Sequence, residues 1–312
     1  MHWLVSRQEA PRETEAHPFV VFDVLHALAL LLLLVTYIAA LISRSIVRMK
    51  TWFCLILSCI VYCISFLALV GHQGGPQPPL ALCVFQSGLI YAAPPTVAAA
   101  GFSFVTELYM RLSSSLTIVE VSHRKITMLM FFAPVVHLII LWEAILYGVS
   151  NLHLVERIPS GMYCHVNSIT PPAITGITVG VLMVAMLSLE VYIGHYLWRR
   201  RSGFACLRAS GSDSVFTYKL LIRVATFTFG GLMAVAVTIF INFEPATATS
   251  DVALNLLAIL PLLVALLFGF QTGYLKVYIF WKKKPLPTLE GPPNLPDPKV
   301  PIQPESIELE VV

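Results

Sequence analysis

Apolar residues recur along this chain in long uninterrupted runs. They do not alternate as in half-buried strands or form the one-sided stripes of soluble helices. Seven runs are legible, at 19–42, 51–70, 80–106, 126–149, 172–198, 220–243 and 252–272. A bilayer core about 30 Å thick takes about 20 apolar residues of helix, so each run predicts one membrane-spanning helix. Only four charged residues fall inside the runs: Asp23, Glu143, Glu190 and Arg223. The predicted fold is all-α, a polytopic membrane protein with a seven-helix bundle over 19–284. Residues 1–18 are polar and carry five charges, with no basic stretch leading into a short apolar core and cleavage site. The expectation is that no signal peptide is cleaved and that the first run directs insertion. Residues 285–312 hold eight prolines and an acidic end, too little apolar material for a core, which predicts a disordered tail. No internal repeat is legible.

Composition sharpens this reading. Of 312 residues, 57% are hydrophobic and 12% charged, about half the charge of a soluble domain, and mean hydropathy is +0.79. These values exclude a soluble enzyme, a nucleic-acid binder and a disordered chain. The expectation is no enzymatic activity, no cofactor and no nucleic-acid partner. The net charge of +3 says little, but its placement says more. With the N-terminus outside and seven spans, 17 of the 20 Lys and Arg fall on the cytosolic side, and only Arg7, Arg12 and Arg157 lie outside. The positive-inside rule selects that orientation, with the C-terminus cytosolic beside Lys282–Lys284. Six or eight spans would put that triplet on the wrong side.

Three of the six cysteines, Cys54, Cys59 and Cys63, lie in the second run, where a thiol is a small apolar group. Cys206 sits in the basic inner loop. Cys83, at the outer end of the third run, and Cys164, in the longest outer loop, are the two on the oxidising face. A disulfide between them is the expectation, and two unpaired thiols are the alternative.

Seven helices, an outside N-terminus, a cysteine atop the third helix and one in the second outer loop together resemble a G-protein-coupled receptor. The resemblance covers 19 to about 284. Rhodopsin-like members end the third helix in an acidic-Arg-aromatic triplet. This chain has Glu107-Leu108-Tyr109, with Arg111 one turn on. Their seventh helix carries Asn-Pro-x-x-Tyr and then a Phe, whereas here Phe270-Gln271-x-x-Tyr274 precedes Phe280, without the Asn-Pro. The Trp-x-Pro of the sixth helix is also absent. The texture is more similar to divergent fungal receptors, distantly to the lipopeptide pheromone receptors. The resemblance implies a plasma-membrane receptor for an unidentified ligand, coupled to a heterotrimeric G protein, with Glu107, Tyr109 and Arg111 at the coupling face. Arg199, Arg200 and Arg201 join that face by their charge, which equally suits anionic membrane lipids.

Intramembrane polar groups are functional candidates by default. Gln86, Trp142, Glu143, His26, Asn242 and Asn255 lie towards the outer ends of their helices and form a candidate ligand-binding set. The bland alternative for each is snorkelling or helix-to-helix bonding. His137 suits a bonded core histidine, and Glu190 and His195 are expected at interfacial water. Pro94-Pro95 and Gly230-Gly231 are candidate flexible points. Close helix packing is the alternative for the glycines, as for Gly176-x-x-x-Gly180. Residues 252–281 would make about 45 Å of helix, so a break near Gly273 would leave Tyr274–Lys284 along the inner surface.

Other classes fit less well. An intramembrane zinc hydrolase needs three ligands at one depth, yet the nine histidines are scattered. A retinal protein needs a lysine midway along the seventh helix, and Lys276 lies at its cytosolic end. A small transporter would show a repeat and an intramembrane Pro-Gln pair, and Pro76-Gln77 lies in a loop. An orphan multi-pass protein that couples to nothing is the nearest rival to a receptor.

Overall fold

The computed structural model describes residues 18–42, 48–117, 121–158, 160–199, 222–236 and 248–269. Among the described residues, five helices are long and apolar enough to cross a membrane. They are α1 (Pro18–Ile42), α2 (Lys50–Leu67), α3 (Leu80–Thr117), α4 (His123–Ser150) and α5 (Thr170–Arg199). Two further helices, α6 (Ile222–Ala236) and α7 (Ala248–Gly269), are apolar, with shorter described apolar stretches. Between α4 and α5, β1 (Val155–Arg157) and β2 (Cys164–Val166) pair antiparallel, with Val155 opposite Val166 and Arg157 opposite Cys164. This is the construction of an all-α membrane protein with one small hairpin at its surface.

The distribution of polarity explains why the helices assemble this way. Large apolar side chains point outward along the bundle: Val24 and Leu31 on α1, Met128, Ile139 and Leu146 on α4, Ile177, Val181 and Val191 on α5. In water such a surface would be an aggregation hazard, whereas in hydrocarbon it costs nothing. The interior combines large apolar side chains, such as Trp52, Leu55, Phe104, Met186 and Phe268, with a column of small and polar residues on α3. Ala92, Ala93, Ala98, Ala99 and Ala100 of α3 are fully buried, with Ser87, Thr96, Ser103 and Glu107 on the same helix. Small residues let backbones approach closely where lipid supplies no hydrophobic drive between helices.

α3 is the axis of the fold, packing on α2, α4, α5 and the hairpin, while α1 packs on α2 and α7. α6 meets three neighbours at close range. A Cβ on Gly101 of α3 would lie 2.7 Å from Phe227, and one on Gly231 would lie 2.6 Å from Met183 of α5. Gly230 faces Leu260 and Leu263 of α7. The glycine pair therefore sits in packed interfaces. Gly176 and Gly180 differ: among the described residues, nothing stands within 4 Å of a Cβ at either.

Candidate functional site

At the end bearing the hairpin, several contacts hold the hairpin and loop 71–79 on the bundle. Cys83 and Cys164 form a disulfide with Cα atoms 5.2 Å apart. One turn below Cys83, fully buried Gln86 accepts the Cys164 backbone N–H through Oε1 at 3.0 Å. The Tyr91 hydroxyl accepts the Val166 N–H at 3.2 Å and donates to the Val166 carbonyl at 3.5 Å. Arg157 donates to the carbonyls of His72 at 2.7 Å and Gly75 at 2.9 Å, tying the hairpin to loop 71–79. Gln73 of that loop donates to Asp23 of α1 at 2.9 Å. Gly161 closes the hairpin with φ +78°, and a Cβ there would lie 2.6 Å from the Gln73 carbonyl oxygen. Glycine is therefore demanded by both conformation and space. His165 of β2 is half-buried, with no partner on Nδ1. Burial pushes its pKa below the usual 6.5, against the pull of the Glu156 charge opposite.

Among the described residues, the candidate ligand-binding residues have separate surroundings. Gln86 belongs to the hairpin anchor. His26 is buried among Phe22, Tyr62 and Phe66; its Nδ1 donates to the Phe22 carbonyl at 2.9 Å, and its Nε2 has no partner. Trp142 is 58% exposed on the outward face of α4. Glu143 is half-buried, with Oε2 enclosed and unpartnered, and its charge reaches Tyr91 and Tyr147. Asn255 is half-buried on α7. Asn242 lies outside the described residues. Two open apolar grooves, of about 380 and 390 Å³, both run between α3 and α4.

In the middle of the bundle, prolines create polar demands that neighbouring helices meet. Pro95 has no N–H for the carbonyl four residues back, that of Tyr91. The Thr175 hydroxyl of α5 donates to it instead, at 3.1 Å. Pro134 of α4 likewise leaves the Met130 carbonyl unbonded, and the Cys54 thiol of α2 faces that oxygen at 3.9 Å. Thr96 donates to the Ala92 carbonyl at 2.7 Å, so its oxygen accepts the Nδ1–H of His137, 2.9 Å away, which makes His137 a bonded core histidine.

At the opposite end Glu107 is the centre. It is fully buried, and its Oε2 accepts the N–H of Thr51 at 3.2 Å and the Thr51 hydroxyl at 2.6 Å. Thr51 lies in the first turn of α2, where Met49 makes no side-chain cap bond. A carboxylate of α3 thus caps α2, where the helix dipole favours negative charge. Its Oε1 pairs with Arg111, which contributes Nε at 2.8 Å and Nη2 at 2.7 Å. Tyr109 packs edge-on against Tyr192 of α5, ring centroids 5.5 Å apart, and Tyr192 stacks on Tyr196. Glu190 is buried rather than at interfacial water and accepts the Thr228 hydroxyl of α6. His195 and Arg199 are exposed at the end of α5. Arg200, Arg201, the segment Tyr274–Lys284 and the tail lie outside the described residues. Among the described residues, no three His, Cys, Asp or Glu side chains gather as a metal site.

Sequence reading missed Thr51, Tyr91, Thr175 and Thr228. The signal for the Thr175 contact was present: a proline four residues after Tyr91 names a carbonyl that needs a new donor, as Pro134 does for the Met130 carbonyl that Cys54 faces. No protein-family profile matches the chain, and no curated protein matches it.

Proposed function

We propose that the chain is a seven-helix receptor, N-terminus outside and tail in the cytosol. In this reading it binds an extracellular or membrane-derived ligand at the plasma membrane and signals to a heterotrimeric G protein. The observation that carries the reading is the double role of α3. Cys83 and Gln86 fasten one end to the outer hairpin, and Glu107, 24 positions on, fastens the other to α2 and Arg111. About 36 Å of helix separates these positions, so one continuous helix joins the two membrane faces. At the inner end α5 and α6 share the Glu190–Thr228 bond, a contact whose loss would free α6 to move. A ligand then signals by favouring the state in which these bonds are open, since equal affinity for both states shifts nothing.

The test is energy-transfer recording of G-protein dissociation in cells expressing the full chain, across a lipid and peptide panel and a panel of Gα subunits. At least one ligand should dissociate one heterotrimer, and Thr228→Val should raise the ligand-independent signal. Ligand-driven flux or turnover with no G-protein response at any pairing would instead establish a transporter or an enzyme.

A further inference from the structure

The two grooves between α3 and α4 differ in one respect. The groove near the hairpin is lined by Leu80, Val84, Phe85, Ile145 and Val149, with no charged group. The groove at the other end is lined by Phe102, Met110, Met128, Leu129 and Phe132, and it carries Lys125. Its remaining polar residue is Thr106, whose hydroxyl is already donated to the Phe102 carbonyl at 2.8 Å. This groove therefore offers an occupant an apolar channel with one fixed cation.

More positive charge borders it. Arg124 adjoins Lys125 in the first turn of α4, and Lys50 Nζ lies 3.3 Å from His123 Nε2. Among the described residues, no acidic side chain pairs with Lys125 or Arg124. Ser122 makes no side-chain cap bond to α4, so the positive end of that helix dipole points the same way. Met128, at 73% exposed, opens the channel to the lipid side.

We propose that the lysine-bearing groove between α3 and α4 binds an anionic glycerophospholipid. One acyl chain lies along Phe102, Leu129 and Phe132, and the headgroup is held by Lys125 with Arg124 beside it. The chain is excluded from neither leaflet by shape, because both grooves have similar volume; the charge at one mouth selects the headgroup. The inference rests on the helices lying in a bilayer and not on the receptor reading.

The experiment places a photoreactive benzoylphenylalanine at Met128, or at Val149 in the uncharged groove. The full chain is reconstituted in nanodiscs of phosphatidylcholine with an equal share of phosphatidylserine, and the adducts are identified by mass spectrometry. At Met128, phosphatidylserine adducts should exceed phosphatidylcholine adducts, and Lys125→Gln should cut that excess about fivefold, the equivalent of about 1 kcal/mol for one basic residue at an anionic surface. At Val149 the two lipids should react alike. Neutralising Arg199–Arg201 should leave the Met128 adducts unchanged. Equal adducts at Met128 in the parent, or an excess that survives Lys125→Gln, would overturn the proposal. So would an excess abolished by the Arg199–Arg201 change alone, which would place the headgroup at α5.

Discussion

Glu107 caps a helix to which it does not belong, and this makes its two partnerships unequal. Removing Arg111 leaves a carboxylate with no exposed surface and no cation, although the two Thr51 bonds remain. Removing the charge of Glu107 leaves a guanidinium that is 38% exposed and can turn to water. Stripping one partner from a fully buried pair costs about 3–5 kcal/mol; with Arg111 part-exposed and the Thr51 bonds surviving, Arg111→Ala should cost less than that. Thermal unfolding of the purified protein should therefore rank Arg111→Ala below Glu107→Gln. The opposite order would mean that the cap, not the ion pair, holds this end. His165 obeys a different rule. Burial disfavours its protonated form in the fold, so the open chain binds more protons below the ordinary value of 6.5. Stability rises with pH wherever the unfolded state holds more protons. The contribution of this residue is therefore complete above about 6.5 and is lost as pH falls beneath it. The unfolding midpoint should drop between pH 7.5 and pH 5.5, and His165→Asn should reduce the drop.

Between helices, the prolines show how a membrane bundle tolerates broken backbone bonds: a freed carbonyl finds a hydroxyl or thiol on the neighbour. Thr175→Val would leave the Tyr91 carbonyl without its present donor, at about 0.6–1.7 kcal/mol on the scale of interhelical hydrogen bonds in membranes. Pro95→Ala restores a backbone N–H to that carbonyl. In its background the same Thr175→Val change should cost much less, and a double-mutant cycle on unfolding midpoints measures the difference. Additive costs would mean that the Thr175 bond does not replace the missing one. The glycine pair of α6 allows a parallel separation of packing from pivoting. Gly230→Ala meets only contacts of 3.5 Å, whereas Gly231→Ala pushes into the Met183 side chain. Overpacking costs about 1–3 kcal/mol, here near the low end because Met183 is flexible. In a Met183→Ala background, Gly231→Ala should cause no further loss of the unfolding midpoint. A signalling defect that Gly231→Ala adds in that background would belong to a pivot.

The pattern of apolar runs carried the five long helices, and the positions of Cys83 and Cys164 relative to those runs carried the disulfide, because both depend on depth along the bundle. The ends of elements were less legible. α3 continues from the run ending at 106 to Thr117, because Glu107 and Arg111 neutralise each other and the polar turn is no longer a stop. The hairpin strands, three residues each, are too short to show any alternation. The surroundings of the candidate ligand set were not legible, because depth in the membrane can be read from position, while the face of the helix depends on packing. Trp142 and Glu143 are adjacent, yet one is outward and the other has an enclosed oxygen. Topology is the property on which the receptor reading stands or falls. Arg157, the disulfide and the hairpin lie at one end of α3, while Lys50, Arg111, Arg124, Lys125 and Arg199 gather at the helix ends opposite. The five long helices alone, an odd number, would already carry the chain across; α6 and α7 either both cross or leave residues 200–312 on a different plan. Epitope tags at the N-terminus, in loop 71–79 and at the C-terminus separate these outcomes. In unpermeabilised cells the first two tags should be accessible and the third not. An additional tag at 244–247, between α6 and α7, should be accessible when both helices cross and hidden when neither does. An N-terminal and a C-terminal tag exposed on the same face would remove the seventh span, and with it the cytosolic docking face that signalling requires.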